Sequence, residues 1–158
     1  MNELIVYQGD DPLELSSSSS RTYAYRIGPG TLHGRKFIKL NDEFRLNCLA
    51  EEIRDKYSAW VFSLNSHFTS SSLVMGDLSV FFLSDLSCKR SERFETFDQI
   101  CNLMLIQEQL ADTNLQRARL IGVNHAFVSA FESVFPRIQI SVEQSPKTSV
   151  RITRRLSA

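Results

Sequence analysis

The segment RLIGVNHAFVSAFESVFPRIQISV, residues 119–142, decides the fold. Arg119, Leu120, Ile121, Gly122 and Val123 predict a strand. Asn124 then offers a side-chain oxygen to the first free amides of a helix. Phe127, Ala130, Phe131 and Val134 recur at helical spacing on one side, and Pro136 stops the helix. A second strand follows over Arg137, Ile138, Gln139, Ile140, Ser141 and Val142. Strand, helix of about three turns, strand is a βαβ unit, which requires parallel strands and a right-handed crossover.

Longer helical patterns stand upstream. Asn41, Asp42 and Glu43 open one, with Asn41 as the expected cap and acids in its first turn. Leu46, Leu49, Ala50, Ile53, Tyr57, Trp60 and Val61 form its apolar stripe. Thr96 and Gln99 fit a capping box at the start of another, with Phe97, Ile100, Cys101, Met104 and Leu105 as its buried face. Together these predict an α/β fold with an open, mainly parallel Rossmann-like sheet flanked by helices.

The N-terminal third reads as β structure. Leu4, Ile5, Val6 and Tyr7 are a short β run ended by Gly9-Asp10-Asp11-Pro12. Thr22 to Ile27 and residues 35–40 read as two strands of a short hairpin, separated by Gly28-Pro29-Gly30 and a long loop. That Gly-Pro-Gly lacks the spacing of a phosphate-cradling loop. Between the runs lies a serine tract, residues 16–20, expected to be a loop because serine contributes little apolar area to offset ordering entropy.

With 158 residues and 42% apolar content, the chain has enough material for a core without covalent staples. The expected organisation is a single α/β domain over residues 1–145, followed by a basic tail or interdomain linker over residues 146–158. That tail carries Lys147, Arg151, Arg154 and Arg155. Lys plus Arg and Asp plus Glu both number 18, so global charge steers the chain neither to nucleic acid nor to an acidic membrane. Cys48, Cys88 and Cys101 are odd in number and contain no CxxC, so neither a disulfide framework nor a zinc knuckle is indicated. No signal-peptide layout and no long apolar run is present, which predicts a cytoplasmic chain able to work at a membrane surface.

The strongest chemical constellation lies between two apolar segments. Ser84, Asp85, Lys89 and Arg90 follow the run Val80-Phe81-Phe82-Leu83. A carboxylate there could serve as a general base, and the cations could hold a phosphate or carboxylate. The alternative is an ordinary solvated loop. His67 sits in a polar stretch, residues 65–72, read as a loop. His125 falls in the first turn of the short helix, where a strand-to-helix junction can face a ligand. The histidines show no metal spacing, and there is no GxSxG nucleophile elbow, so no cofactor or metal is called for.

Tyr57 to Phe62, Ser72-Leu73, Phe81-Phe82, Ser84, Lys89-Arg90-Ser91 and the helical pattern from Phe97 to Leu110 resemble bacterial surface-carbohydrate biosynthesis proteins of glycosyltransferase type. The resemblance spans about residues 40 to 135 and implies the N-terminal, acceptor-side half of a two-Rossmann-domain (GT-B) enzyme. It implies a nucleotide sugar and a saccharide acceptor as substrates once a second domain or protein chain completes the cleft. Asp85 would be the base, with His67, Ser84, Lys89 and Arg90 as substrate contacts. Family members tend to carry an acid immediately before the lysine, where this chain has Cys88, so Asp85 would act from a neighbouring position. A non-enzymatic interaction domain is the rival reading, on the absence of a decisive catalytic motif and on the basic tail. Binding of nucleic acid through the tail is not expected, given zero net charge.

Overall fold

The structure is a computed structural model that describes residues 2–15, 21–34, 36–70, 74–75, 78–79 and 95–144. The chain divides into two compact units. One comprises Met1–Asn41 and Thr113–Ala158, the other Asp42–Asp112.

The first unit is built on a five-stranded sheet of β1 (Asn2–Gln8), β3 (Arg21–Ile27), β5 (Phe37–Lys39), β8 (Arg117–Ile121) and β9 (Gln139–Glu143). Its order is β5-β3-β1-β8-β9, and every pairing is parallel. Counting only these strands in chain order, the arrangement is third, second, first, fourth, fifth. This is the order of a Rossmann-like open sheet, with its reversal between β1 and β8. The expected fold class is therefore met.

β1 occupies the centre. Leu4, Ile5, Val6 and Tyr7 are all fully buried, as an unbroken apolar run requires when both faces of a parallel strand are covered. Ile5 and Tyr7 share one face with Ile121, and Leu13, Leu15 and Leu32 pack against that cluster. Leu4, Val6 and Gln8 point to the opposite face, in register with Tyr23, Tyr25 and Ile27 of β3 and with Ala118 and Leu120 of β8.

The predicted N-terminal hairpin does not form. β3 and β5 run parallel, with Thr22 opposite Phe37 and Ala24 opposite Lys39. Residues 28–36 are long enough to carry the chain back to the starting edge, and no two-residue turn fixes an antiparallel return. Within the two N-terminal crossovers, β2 (Leu13–Glu14) and β4 (Leu32–His33) pair in parallel as a second small sheet. Backbone bonds from Leu13 N to Thr31 O (2.8 Å) and from Leu15 N to His33 O (2.7 Å) continue it. Short strands thus stand where helices usually cover a Rossmann sheet.

The βαβ unit forms as predicted. α3 (His125–Val134) connects β8 to β9, and Asn124 Oδ1 accepts a hydrogen bond from Phe127 N at 2.8 Å. Phe127 and Phe131 are its buried residues, while Ala130 is exposed. β8 ends before the predicted Val123, because Gly122 takes a left-handed conformation (φ +71°) that an extended strand cannot continue.

The second unit holds α1 (Glu43–Ser70), the antiparallel pair β6 (Val74–Met75) and β7 (Leu78–Ser79), and α2 (Glu95–Gln109). α1 and α2 run antiparallel, since Arg45 near the start of one meets Glu108 near the end of the other, and the Tyr57 ring meets Phe97 edge-on at 5.0 Å. Asp42, not Asn41, caps α1: its Oδ1 accepts from Arg45 N at 2.9 Å and its carbonyl from Leu46 N. Asn41 instead clasps the end of β3, exchanging two side-chain bonds with the Arg26 backbone. The α1 stripe is buried at Leu49 and Ile53 but leaves Trp60 46% exposed. α2 already includes Glu95 and Thr96, and Gln99 Nε2 donates to Glu95 Oε1 one turn back instead of closing the predicted capping box.

Candidate functional site

In open α/β sheets, ligands bind beyond the carboxyl ends of the strands where the strand order reverses. Here that point is set by the ends of β1 and β8, at Gln8 and Ile121. The connection leaving β1 lies over the Tyr7 face, where Leu13 and Leu15 pack. A right-handed crossover from β8 to β9 runs in the opposite lateral direction and so places α3 over the other face, the one Gln8 points to. Connections that leave a sheet on opposite faces diverge, which is why open α/β sheets bind ligands at this point.

The loop after β1 is tightly built. Buried Tyr7 donates its hydroxyl to Asp11 O at 2.7 Å. Gly9 lies against this ring, and a Cβ there would sit 2.4 Å from Tyr7 Oη. Gly30 N donates to Gly9 O at 3.0 Å, which joins the loop after β3 to the loop after β1. Arg26 reinforces the second loop, donating to Pro29 O at 3.2 Å and to Gly30 O at 2.7 Å. The carboxylates on this scaffold, Asp10 and Asp11, belong to exposed residues.

On the β8 side of the switch point, Gly122 N donates to Glu143 O at 2.9 Å and extends the β8–β9 pairing by one bond. Asn124 then starts α3, with exposed His125 as the first helical residue. Gln8 completes the set. Its Oε1 is buried and has no hydrogen-bond partner among the described residues. No group of three or more His, Cys, Asp or Glu side chains able to hold a metal ion occurs among the described residues.

The arrangement offers two carboxylates, an imidazole and an amide oxygen without a partner among the described residues, all at one sheet edge. Carboxylates and amide oxygens accept hydrogen bonds from hydroxyls, and two adjacent negative charges repel phosphate. The loop after β1 lacks the glycine spacing that cradles a pyrophosphate in dinucleotide-binding folds, and among the described residues no helix follows β1 before β3.

Ser84, Asp85, Lys89 and Arg90 lie outside the described residues, as do Cys88, the serine tract and the basic tail. His67 lies in the last turn of α1 with an exposed side chain, not in the predicted loop. Residues 63–67 contain no glycine or proline to break the helix, and Ser66 Oγ satisfies itself by donating to Phe62 O at 3.2 Å. Gln8, Asp10 and Asp11 carry no motif that marks them in the sequence. The turn at residues 9–12 was legible, but the pairing that makes it a switch point was not.

Comparison with known proteins finds no matching family model, no matching curated protein and no matching solved structure. Among the described residues, no helix is long and apolar enough to cross a membrane. Fold and edge geometry define the class: an α/β chain with a Rossmann-like parallel sheet.

Proposed function

We propose that this chain is the acceptor-side domain of a glycosyltransferase-like protein of bacterial cell-surface polysaccharide biosynthesis, working in the cytoplasm and inactive alone. The observation that carries this reading is the chemistry of the switch-point loop. Asp10 and Asp11 follow β1 where a nucleotide-binding sheet would present phosphate-cradling amides. Such an edge favours a neutral, hydroxyl-rich ligand over a nucleotide diphosphate, which fits an acceptor sugar and leaves the nucleotide sugar to a second domain or chain.

In the completed enzyme, Asp85 would take the proton from the acceptor hydroxyl, and Ser84, Lys89, Arg90 and His67 would contact substrate. Transfer between sugars needs a base for the attacking hydroxyl and positive charge near the leaving phosphate. Two experiments test the reading. Saturation-transfer NMR against a panel of neutral sugars and uridine diphosphate should give signals for a sugar and none for the nucleotide; the reverse pattern refutes the acceptor-side assignment. Asp85→Ala in the complete assembly should lower transfer at least a hundredfold; an unchanged rate removes Asp85 from the mechanism.

A non-enzymatic interaction domain is favoured by a different observation. Phe44 and Phe62 of α1 are 80% and 72% exposed, high for large apolar side chains. Isolation of a stable complex with a second chain, in which neither partner binds a sugar or nucleotide sugar, would support that reading instead.

A further inference from the structure

We infer that Gln8 is the residue that reads the ligand at the switch point, its side-chain carbonyl accepting a hydrogen bond from a sugar hydroxyl. The inference rests on the saccharide reading above and names a contact within that site. Three observations converge. Gln8 is the last residue of β1, the strand at which the sheet order reverses. Register sets its side chain on the face opposite Tyr7, the face that the right-handed β8–α3–β9 connection covers. Its Oε1 is buried and has no hydrogen-bond partner among the described residues.

The last point carries the most weight. A buried amide oxygen without a donor is rare in folded proteins, because it gives up its hydrogen bond to water and gains nothing. Leucine at this position would avoid that loss and suit the apolar neighbours Val6, Ile27 and Leu120. Retaining an acceptor here makes physical sense when a donor arrives with the ligand. Sites built around such a polar atom discriminate strongly, since a ligand lacking the hydroxyl leaves the oxygen orphaned.

The test uses the full chain, Gln8→Leu, and glucose, galactose, mannose, rhamnose and N-acetylglucosamine as probes. Gln8→Leu should raise the thermal midpoint by about 4 °C, because the orphaned oxygen is gone. It should weaken the best-bound sugar about tenfold. Unchanged affinity in a folded Gln8→Leu protein overturns the inference. If the variant does not fold, NMR of the Gln8 side-chain amide in the unsubstituted protein decides. Movement of that signal on addition of sugar supports the role; a static signal while others shift overturns it. If no sugar perturbs any resonance, the saccharide reading itself falls and this inference falls with it.

Discussion

Gly30 donates its amide to the Gly9 carbonyl at 3.0 Å, and a Cβ on Gly30 would lie only 2.2 Å from that same oxygen. Two crossover loops therefore approach more closely than any side chain allows. The hydrogen bond and the missing Cβ have one cause, the convergence of the β1 and β3 connections over Tyr7.

Gly30→Ala should accordingly destabilise the chain by about 1–3 kcal/mol, since the obstacle is backbone and cannot rotate away. Gly28 offers a control in the same loop. It needs its positive φ of 87° but has nothing within 4 Å of an added Cβ. Gly28→Ala should cost only about 1 kcal/mol, the conformational share. Urea denaturation of both variants separates the two causes; equal losses would remove the steric argument.

Asn124→Ala should cost about 1 kcal/mol through loss of the bond to Phe127 N. Asn124→Asp should recover most of it, because a carboxylate accepts the same amide and suits the positive end of the helix. Amide exchange at Phe127, faster in the alanine variant and restored by aspartate, is the diagnostic measurement.

Arg119 holds Glu143 across β8 and β9 with two bonds, Nε to Oε1 at 2.8 Å and Nη2 to Oε2 at 3.0 Å. Hydrogen bonding from Arg119 keeps the Glu143 carboxyl below the usual carboxylate range. The pair's contribution is thus complete above that range and lost as pH falls through the lowered folded value. With both side chains partly exposed, solvent screening limits it to about 0.5 kcal/mol. Glu143→Gln should therefore be slightly less stable than the parent at pH 7 and indistinguishable from it at pH 2. A difference that persists or grows in acid contradicts the assignment.

Burial pushes the Cys101 thiol up to about 11, and the charge of Asp98 adds to the shift. The thiolate is the nucleophile, so Cys101 should resist iodoacetamide at pH 8 in the folded protein and react once the chain unfolds in urea. Peptide mass spectrometry of labelled samples checks this. Rapid native labelling at Cys101 would contradict its placement in the α2 core.

Local features were the legible ones. Leu4 to Tyr7 is apolar without alternation, and only a strand covered on both faces accepts such a run. Asn124, the phenylalanines of α3 and Pro136 state the start, buried side and end of a helix within a dozen residues. The cap of α1 lies one residue beyond the expected Asn41, because Asn41 and Asp42 are both good caps and only the distant Arg26 backbone decides between them. The polar residues around His67 suggest a loop, yet nothing there interrupts helical hydrogen bonding and α1 runs through it.

By itself, then, the sequence determined the long strands, the cores of the three helices and the parallel βαβ unit, since propensity, capping and apolar period act over a few residues. Tertiary structure alone decided that β3 and β5 are parallel neighbours, and that β1 and β8 meet at the reversal of the sheet. Strand pairing joins residues more than a hundred positions apart, such as Tyr7 and Ile121, through backbone groups that every residue carries. No local pattern encodes that choice. It set the turn at Gly9 and the glutamine at position 8 at the reversal point of the sheet, where open α/β folds bind their ligands.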